Sequence, residues 1–542
     1  MLSLKISDKN VDLPDDFSFT MNLKSPIFGD VGSYSYPFKL PNTPRNASIL
    51  EFRHRIEGTG DVYRTDDGAF LWNGISLFRG SAKLKTLNSK LYEGSMFEGE
   101  GDFFYKIKNL SLQQVDFGMM TFTNVSDKIA YINACKNIRY PNRIVAFPQV
   151  MNKSYFEELP DEVALQYFNY YKYGIIYEAV TPSNTRSVIV PMLYLRYVLK
   201  KIFERLGFGF DDSFFATDND YNSLVIYNSV DCNSDTTGFF QYDKESLLFN
   251  YHLPQMNLGD FFAGLETFFN IRFYVNNTTS TVRLISIAET VNSTDYVEFS
   301  KDLMSISTDI EEKITGFELK MEIDTDDEYS ATADVTEKNA LEHLKASVQS
   351  VSDLPPWPAS DIMDMRFVYD ENLYYRFGTS RVWAATPSSI GLLNLYSEVI
   401  YRNKDQTINT KFSTLFMNGD QGVIGNTMAN WRDVTPKLLF VNYIDSGSGW
   451  TKDMGQSVTA TKNLFFGGSN GLFIQHYKDF FDFRMSTKLV KAVKLMTFME
   501  LKEFDFSKKY MIRGIKYLVK TIQVPLKKDR IMPALLELYP CN

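Results

Sequence analysis

The chain has few of the residues from which most catalytic and metal sites are built: three cysteines and four histidines in 542 residues. Cys135, Cys232 and Cys541 lie far apart, which rules out a disulfide framework or a CxxC metal knuckle by spacing and suits folding in a reducing cytoplasm. His54, His252, His343 and His476 are spaced neither with one another nor with a cysteine as a recognisable metal site requires. No Walker loop or dinucleotide fingerprint occurs. No apolar run approaches the roughly 20 residues that span a bilayer. The opening MLSLKISDKN carries charge by Lys5 and has no apolar core of signal-peptide length. A soluble chain with no membrane span, no classical export signal and no cofactor is expected. The net charge of −9 gives no general reason to expect specific nucleic-acid binding.

Two local matches to catalytic patterns fail on context. Gly467-Gly468-Ser469-Asn470-Gly471 fits the G-x-S-x-G elbow, but that motif needs a triad histidine much later in the chain. His476 follows on the same predicted helix and is the last histidine, so a glycine-rich turn is the better reading. The acidic run 324–328 lacks the glycine and terminal glutamate of a calcium loop and reads as a solvated turn. Paired carboxylates for glycoside hydrolysis need no local motif, and nothing in the sequence favours them. We assign no catalytic residue and no metal ligand, and expect no enzyme.

Aromatic residues are abundant: 44 Phe and 32 Tyr bring the aromatic share to 15%. Rings pack well on pleated surfaces, so this composition favours β-rich structure with large buried contacts. The length exceeds one ordinary core and points to several domains.

The clearest helix lies within 191–215, PMLYLRYVLKKIFERLGFGFDDSFF. Leu195, Val198, Leu199, Ile202 and Leu206 share one face at three- and four-residue spacing, with Arg196, Lys200, Lys201, Glu204 and Arg205 opposite. Pro191 can open this helix, and Gly207 can close it with a left-handed residue. The design returns 63 residues later: Leu258, Phe261, Phe262, Leu265 and Phe269 take the five apolar positions and Asn270 the place of Gly207. A weak helix-then-strand repeat describes both; two ordinary amphipathic helices on two cores describe them as well. In either case the stripes are packing surfaces.

Around these helices the chain alternates as strands do. Leu2, Leu4 and Ile6 alternate, then Phe17, Phe19, Met21 and Leu23. In 25–44, Pro26, Pro37, Pro41 and Pro44 forbid a central strand, while Tyr34, Tyr36, Phe38 and Leu40 still alternate. An edge strand, or an extended arm lying on a neighbour, satisfies both facts. Short strands follow at 69–72, 75–78, 81–87 and 90–97, with Asn73-Gly74 as a two-residue hairpin turn. A helix is expected near 126–134, and a hairpin from 271–275 to 281–287. A polar stretch rich in proline covers 324–360. A helix is expected at 472–483 and strands at 488–499 and 516–524. Between Lys488 and Arg530 stand 12 Lys or Arg against 4 acids, a local +8 in a chain of −9. That basic stretch is either a solvated face or a docking surface for acidic neighbours. Trp357, Tyr369, Tyr374, Tyr375, Phe377 and Trp383 concentrate rings; packing explains them most simply, and a glycan-stacking platform at Trp357 and Trp383 is the functional alternative.

Four segments carry a family resemblance. The opening, Val11-Asp-Leu-Pro-Asp-Asp-Phe-Ser-Phe19, Ser25-Pro-Ile-Phe-Gly-Asp-Val-Gly-Ser33 and Tyr36-Pro-Phe-Lys-Leu-Pro-Asn-Thr-Pro44, resembles the start of tail proteins from phages and prophages of Bacteroides-type bacteria. Segments 194–215 and 253–275 are similar as well, as is the closing FSKKYMIRGIKYLV at 506–519; together they cover about a sixth of the chain. The resemblance implies a tail-tip or baseplate-hub protein: β-barrel domains, two similar domains per subunit, a trimer or other ring, and other tail proteins as partners in the virion, assembled in the host cytoplasm. The expected fold is α+β, predominantly β, with several antiparallel barrel- or sandwich-like domains and a few amphipathic helices. The expected division is 1–145, a β domain with the Pro-rich arm; 146–323, a hub-like repeat domain; 324–460, an inserted or peripheral β-rich domain; and 461–542, a helix and basic β segment closing the hub. Pro26, Phe28, Tyr34, Tyr36, Phe38 and Pro41 are the candidate assembly surface. The alternative is a receptor-binding tail protein that recognises host-surface glycan through Trp357 and Trp383.

Overall fold

The computed structural model describes, apart from isolated positions, residues 1–28, 35–54, 64–98, most of 103–151, 167–176, 189–227, 246–308, 438–444, 461–464 and 470–541, with two-residue strands at 319–320, 377–378 and 449–450. The fold is α+β and predominantly β, as the aromatic and alternating sequence predicts. No helix among the described residues is long and apolar enough to cross a membrane. The chain forms two compact units. One gathers Met1–Ile107, Arg272–Ile314 and Asp479–Asn542; the other gathers Lys108–Ile271 and Thr315–Lys478.

The first unit holds, in chain order, β1 (Leu2–Ile6), β2 (Lys9–Asn10), β3 (Ser18–Lys24), β4 (Ser35–Pro41), β5 (Thr65–Trp72), β6 (Ile75–Leu87), β7 (Leu91–Glu98), β8 (Ile271–Asn276), β9 (Thr281–Ser286), β10 (Tyr296–Glu298), β11 (Leu303–Thr308), β12 (Val490–Lys494), β13 (Lys509–Ile512), β14 (Ile515–Lys527) and β15 (Ala534–Cys541). One sheet runs β2-β1-β5-β6-β7-β4, and another runs β10-β13-β14-β15-β12-β11. Strand β3 joins the second sheet through β14, from Lys24 opposite Thr521 to Ser18 opposite Lys527. The inner faces of the two sheets share one core: Leu4, Phe70 and Phe78 of the first meet Phe19, Ile522, Val524, Leu536 and Leu538 of the second. This is the sandwich arrangement, in which each strand alternates inward apolar and outward polar residues.

Local chemistry accounts for the elements. The alternation of β1 places Leu2, Leu4 and Ile6 inward. Asn73 (φ 50°) and Gly74 (φ 81°) form the left-handed pair that a two-residue hairpin needs between Trp72 and Ile75. The segments expected at 75–78 and 81–87 are one strand, β6, broken only by register shifts against β5 and β7. The strand expected at 488–499 stops at Lys494. There Thr497 and Glu500 make a capping box and start a short helix, Phe498–Lys502.

In the second unit both repeat helices form, α1 (Leu195–Leu206) and α2 (Leu258–Phe269), each of 12 residues. Each ends on a left-handed residue, Gly207 at φ 81° and Asn270 at φ 47°. The two helices share a core, with the rings of Phe203 and Phe262 5.4 Å apart. Pro191 does not open α1. It lies before Met192–Leu193, which pairs with Val145–Ala146, and the helix begins after Tyr194. The helix expected near 126–134 spans Val125–Cys135, capped by Asn124. Strand Leu224–Ile226 pairs with Leu438–Phe440. The helix expected at 472–483 is π-helical over Phe473–Tyr477 and α-helical over Lys478–Ser486, the part from Asp479 on being counted with the first unit.

Candidate functional site

The Pro-rich arm is tied into the first unit. Tyr36 and Phe38 are 1% and 2% exposed, and they point from β4 into the sandwich core, where Tyr36 lies 4.7 Å from Phe78. The Phe38 ring fills the space above Gly94: a Cβ there would come within 2.5 Å of it. Pro26 is buried, and its carbonyl accepts a hydrogen bond from Arg272 Nε at 2.9 Å. Phe28 is half-buried against Tyr539 at 4.9 Å, with the Arg484 guanidinium 5.5 Å from its ring centre. Pro41 is half-buried, and its carbonyl accepts from Asn46 Nδ2 at 2.9 Å. Tyr34, Trp357 and Trp383 lie outside the described residues. The rings at 36 and 38 are therefore committed to the chain's own core; what this strand turns outward is its edge.

The chemistry of that edge follows from the register. Asn42 N–H donates to the Lys90 carbonyl, continuing the ladder that sets Leu40 opposite Tyr92 and Phe38 opposite Gly94. Even-numbered residues thus direct their N–H groups to β7, and Ser35, Pro37, Lys39 and Pro41 face away. Two of these four have no N–H to offer. A proline-blunted edge with a lysine on it resists strand addition by another chain.

The basic C-terminal stretch is partly used within the unit. The Lys494 ammonium is wholly buried; it lies 2.9 Å from Glu500, donates to the Lys301 carbonyl and sits 4.6 Å from the Phe299 ring centre. Lys528 pairs with Asp15 at 2.9 Å, and Lys516 donates to the Thr294 carbonyl at 2.9 Å. Lys488, Lys502, Lys508, Arg513 and Lys527 are exposed. In the same unit Arg53 and Asp66 form a bidentate pair at 2.8 and 2.9 Å, both side chains almost fully buried.

The second unit holds a buried polar cluster that no sequence pattern announces. His476, 6% exposed, sits in the π-helical turn with its ring 5.8 Å from those of Phe269 and Tyr221 and 6.3 Å from that of Phe214. Its Nε2 is 2.5 Å from the Tyr221 hydroxyl, which is 3.0 Å from Gln475 Oε1. Gln475 Nε2 donates to the Asn470 carbonyl, so Oε1 is the end that faces Tyr221. An amide oxygen only accepts; the Tyr221 O–H therefore donates to Gln475, and the imidazole donates its Nε2–H to Tyr221. Lys462 completes the chain, 3.2 Å from Gln475 Oε1 and 3.0 Å from Asp218. Burial pushes the His476 imidazole down to about 3, with nearby Lys462 adding to the effect, and raises the Tyr221 phenol well above its usual range. Both groups are neutral near pH 7.

Among the described residues no group of three His, Cys, Asp or Glu side chains is placed to hold a metal ion. His54 accompanies the Tyr92 hydroxyl at 2.7 Å, and His343 lies outside the described residues. Burial raises the Cys135 thiol to about 12, the opposite of an activated nucleophile. Of the glycine-rich 467–471 stretch, positions 467–469 lie outside the described residues.

No family model and no curated protein matches the chain. Among solved structures it is similar to the 43 kDa tail protein of prophage MuSo2 from Shewanella oneidensis, at 7% identity and a TM-score of 0.33, covering 99% of this chain and 95% of that one. It is also similar to a tail protein from Neisseria meningitidis MC58, at 8% identity and a TM-score of 0.28, with the same coverage.

Proposed function

We propose that the chain is a structural component of a bacteriophage tail, a hub or tail-tip protein that closes the tail tube and anchors fibres or a spike by self-association. The resemblance of the opening, middle and closing segments to phage tail proteins carries this reading. The fold is compatible with it in one specific way. The resembling segments at the two chain ends belong to one body, because β3 and β13 hydrogen-bond to successive parts of the same strand, β14. A protein that transmits load through its own subunit benefits from ends knitted into one sheet. Its partners are then further copies of itself and other tail proteins, and its work is assembly rather than bond-making.

The arm enters this proposal in altered form. Tyr36 and Phe38 are inside the core, so in this proposal self-association draws on other surfaces, foremost the exposed lysines and arginines of 488–530. The test is immunogold labelling of virions from the strain that encodes the chain, using antibody against the purified protein. Gold confined to the tail end distal to the capsid supports the reading; virions that contain none of the protein overturn it. Gold on peripheral fibres, with glycan-array binding lost in Trp357→Ala or Trp383→Ala, would favour the receptor-binding alternative.

A further inference from the structure

The buried cluster of the second unit joins distant parts of the chain through one neutral imidazole. Asp218, Asp220 and Tyr221 come from the turn that precedes Leu224–Ile226; Thr461, Lys462, Gln475 and His476 come from about 240 to 255 residues later. Asn270, the left-handed cap of α2, donates Nδ2–H to the His476 carbonyl at 2.6 Å. Three aromatic rings wall the imidazole. Its Nε2–H is already donated, and Tyr221, Gln475 and Asn270 bring no charge. Of the charged groups facing the cluster, Lys462 opposes a second positive charge. Asp218 favours one, but less than burial and Lys462 oppose it, because it is engaged by Lys462; Asp220 accepts from Thr461 Oγ1 at 2.7 Å. A proton on His476 would therefore be a buried charge with no partner of its own, which a folded interior tolerates poorly.

We propose that His476 is an acid-operated latch: protonation of its imidazole releases the π-helical turn Phe473–Tyr477, and Lys462 with it, from the Tyr221 and Asn270 side of the second unit. The π-helical turn suits the role, since its i→i+5 geometry is less favourable than the α-helix and persists where side-chain contacts hold it. The released turn exposes His476 to water, where the ring takes a proton at its ordinary value near 6.5. In the closed state the proton is refused down to about 3. Acidification from pH 7 to 5 should therefore multiply the ratio of released to closed molecules by about 25. The latch is independent of any role in a tail.

Hydrogen exchange of the full chain, read by mass spectrometry at pH 7 and pH 5 and corrected for intrinsic exchange, tests it. Protection in peptides covering 214–227 and 470–478 should fall about 25-fold, while peptides of β14 keep theirs. His476→Gln, which retains a side-chain donor for Tyr221 and cannot be charged, should abolish the fall, and His54→Gln, in the first unit, should leave it in place. Equal protection at both pH values in the native chain, or an undiminished fall in His476→Gln, would overturn the proposal. Should His476→Gln not fold, imidazole NMR of the histidine-labelled native chain decides: among the described residues His252 and His476 are buried, and the His476 signal, assigned by its contacts to the Tyr221 and Phe269 rings, must stay neutral to pH 5 in the closed state. If every histidine titrates reversibly near 6.5 with the fold intact, the latch is excluded.

Discussion

Two buried basic side chains, one in each unit, show opposite solutions to the same problem. In the first unit Lys494 has no exposed side-chain surface, yet it has a carboxylate at 2.9 Å, a backbone carbonyl and the face of Phe299. In the second unit His476 is nearly as buried but has a hydroxyl, a neutral amide network and a competing lysine. Both sites supply aromatic rings; where a carboxylate of its own is supplied as well, the site accommodates a charge, and where it is not, the group stays neutral. The lesson concerns neighbours rather than depth. Acid should therefore act on the second unit before it acts on the first.

The largest break in this comparison should come from removing an anion where a cation depends on it. Asp66→Ala leaves the Arg53 guanidinium buried without the carboxylate that it grips at two points, and should cost about 3–5 kcal/mol. Thermal or urea unfolding of the first unit measures it; a loss under 1 kcal/mol would show that Arg53 finds water or another acceptor. Next is acidification of the native chain. The His476 value is depressed in the folded state, so its contribution is complete above about 6.5 and declines by about 1.4 kcal/mol per pH unit towards 3. At pH 5 the second unit should be about 2 kcal/mol less stable, measured as a shift in its urea midpoint that His476→Gln removes.

Glu500→Gln should act less, at about 1–2 kcal/mol, since Lys494 keeps the Lys301 carbonyl and the Phe299 ring. Glu500 is held below the usual carboxylate range. Burial works against that, and the Thr497 and Lys494 hydrogen bonds outweigh it. Its contribution is therefore present above its ordinary value and lost as pH falls below it, a window lower than that of His476. The smallest effect is expected at Lys201→Ala, which removes an exposed contact with Glu204 at 2.9 Å on α1 and should cost at most about 0.5 kcal/mol. If that surface pair matched the Glu500 result, the contrast between buried and exposed charges would fail.

The sequence was most legible where a feature is local. Alternation marked β1 and β3, Asn73-Gly74 marked the first hairpin, and the stripes ending at Gly207 and Asn270 marked two helices with their left-handed caps. Each depends on residues within a turn or two of one another. Thr497-x-x-Glu500 was a local signal as well; it ends the predicted strand, because a side-chain cap and a ladder compete for the same backbone. Pairing across the chain was not legible. Nothing in Ser18–Lys24 names Ile515–Lys527 as its partner, and an alternating strand of that pattern fits many sheets. The arm shows the same limit: proline spacing allowed an edge strand or an extended arm on a neighbour, and whether Tyr36 and Phe38 fill this chain's core or a neighbour's is decided by what lies across the sandwich. Lone His476 and lone Tyr221 carried no pattern at all; 255 residues separate them, and only the fold makes them a pair.

The central claim, a tail component built to associate with itself, is tested most directly by the native mass of the purified full chain, with negative-stain images of the same sample. The account predicts a trimer or larger ring with a central opening, alone or on addition of the neighbouring tail proteins. A particle that stays monomeric with those proteins present, or a compact oligomer without an opening, would contradict it.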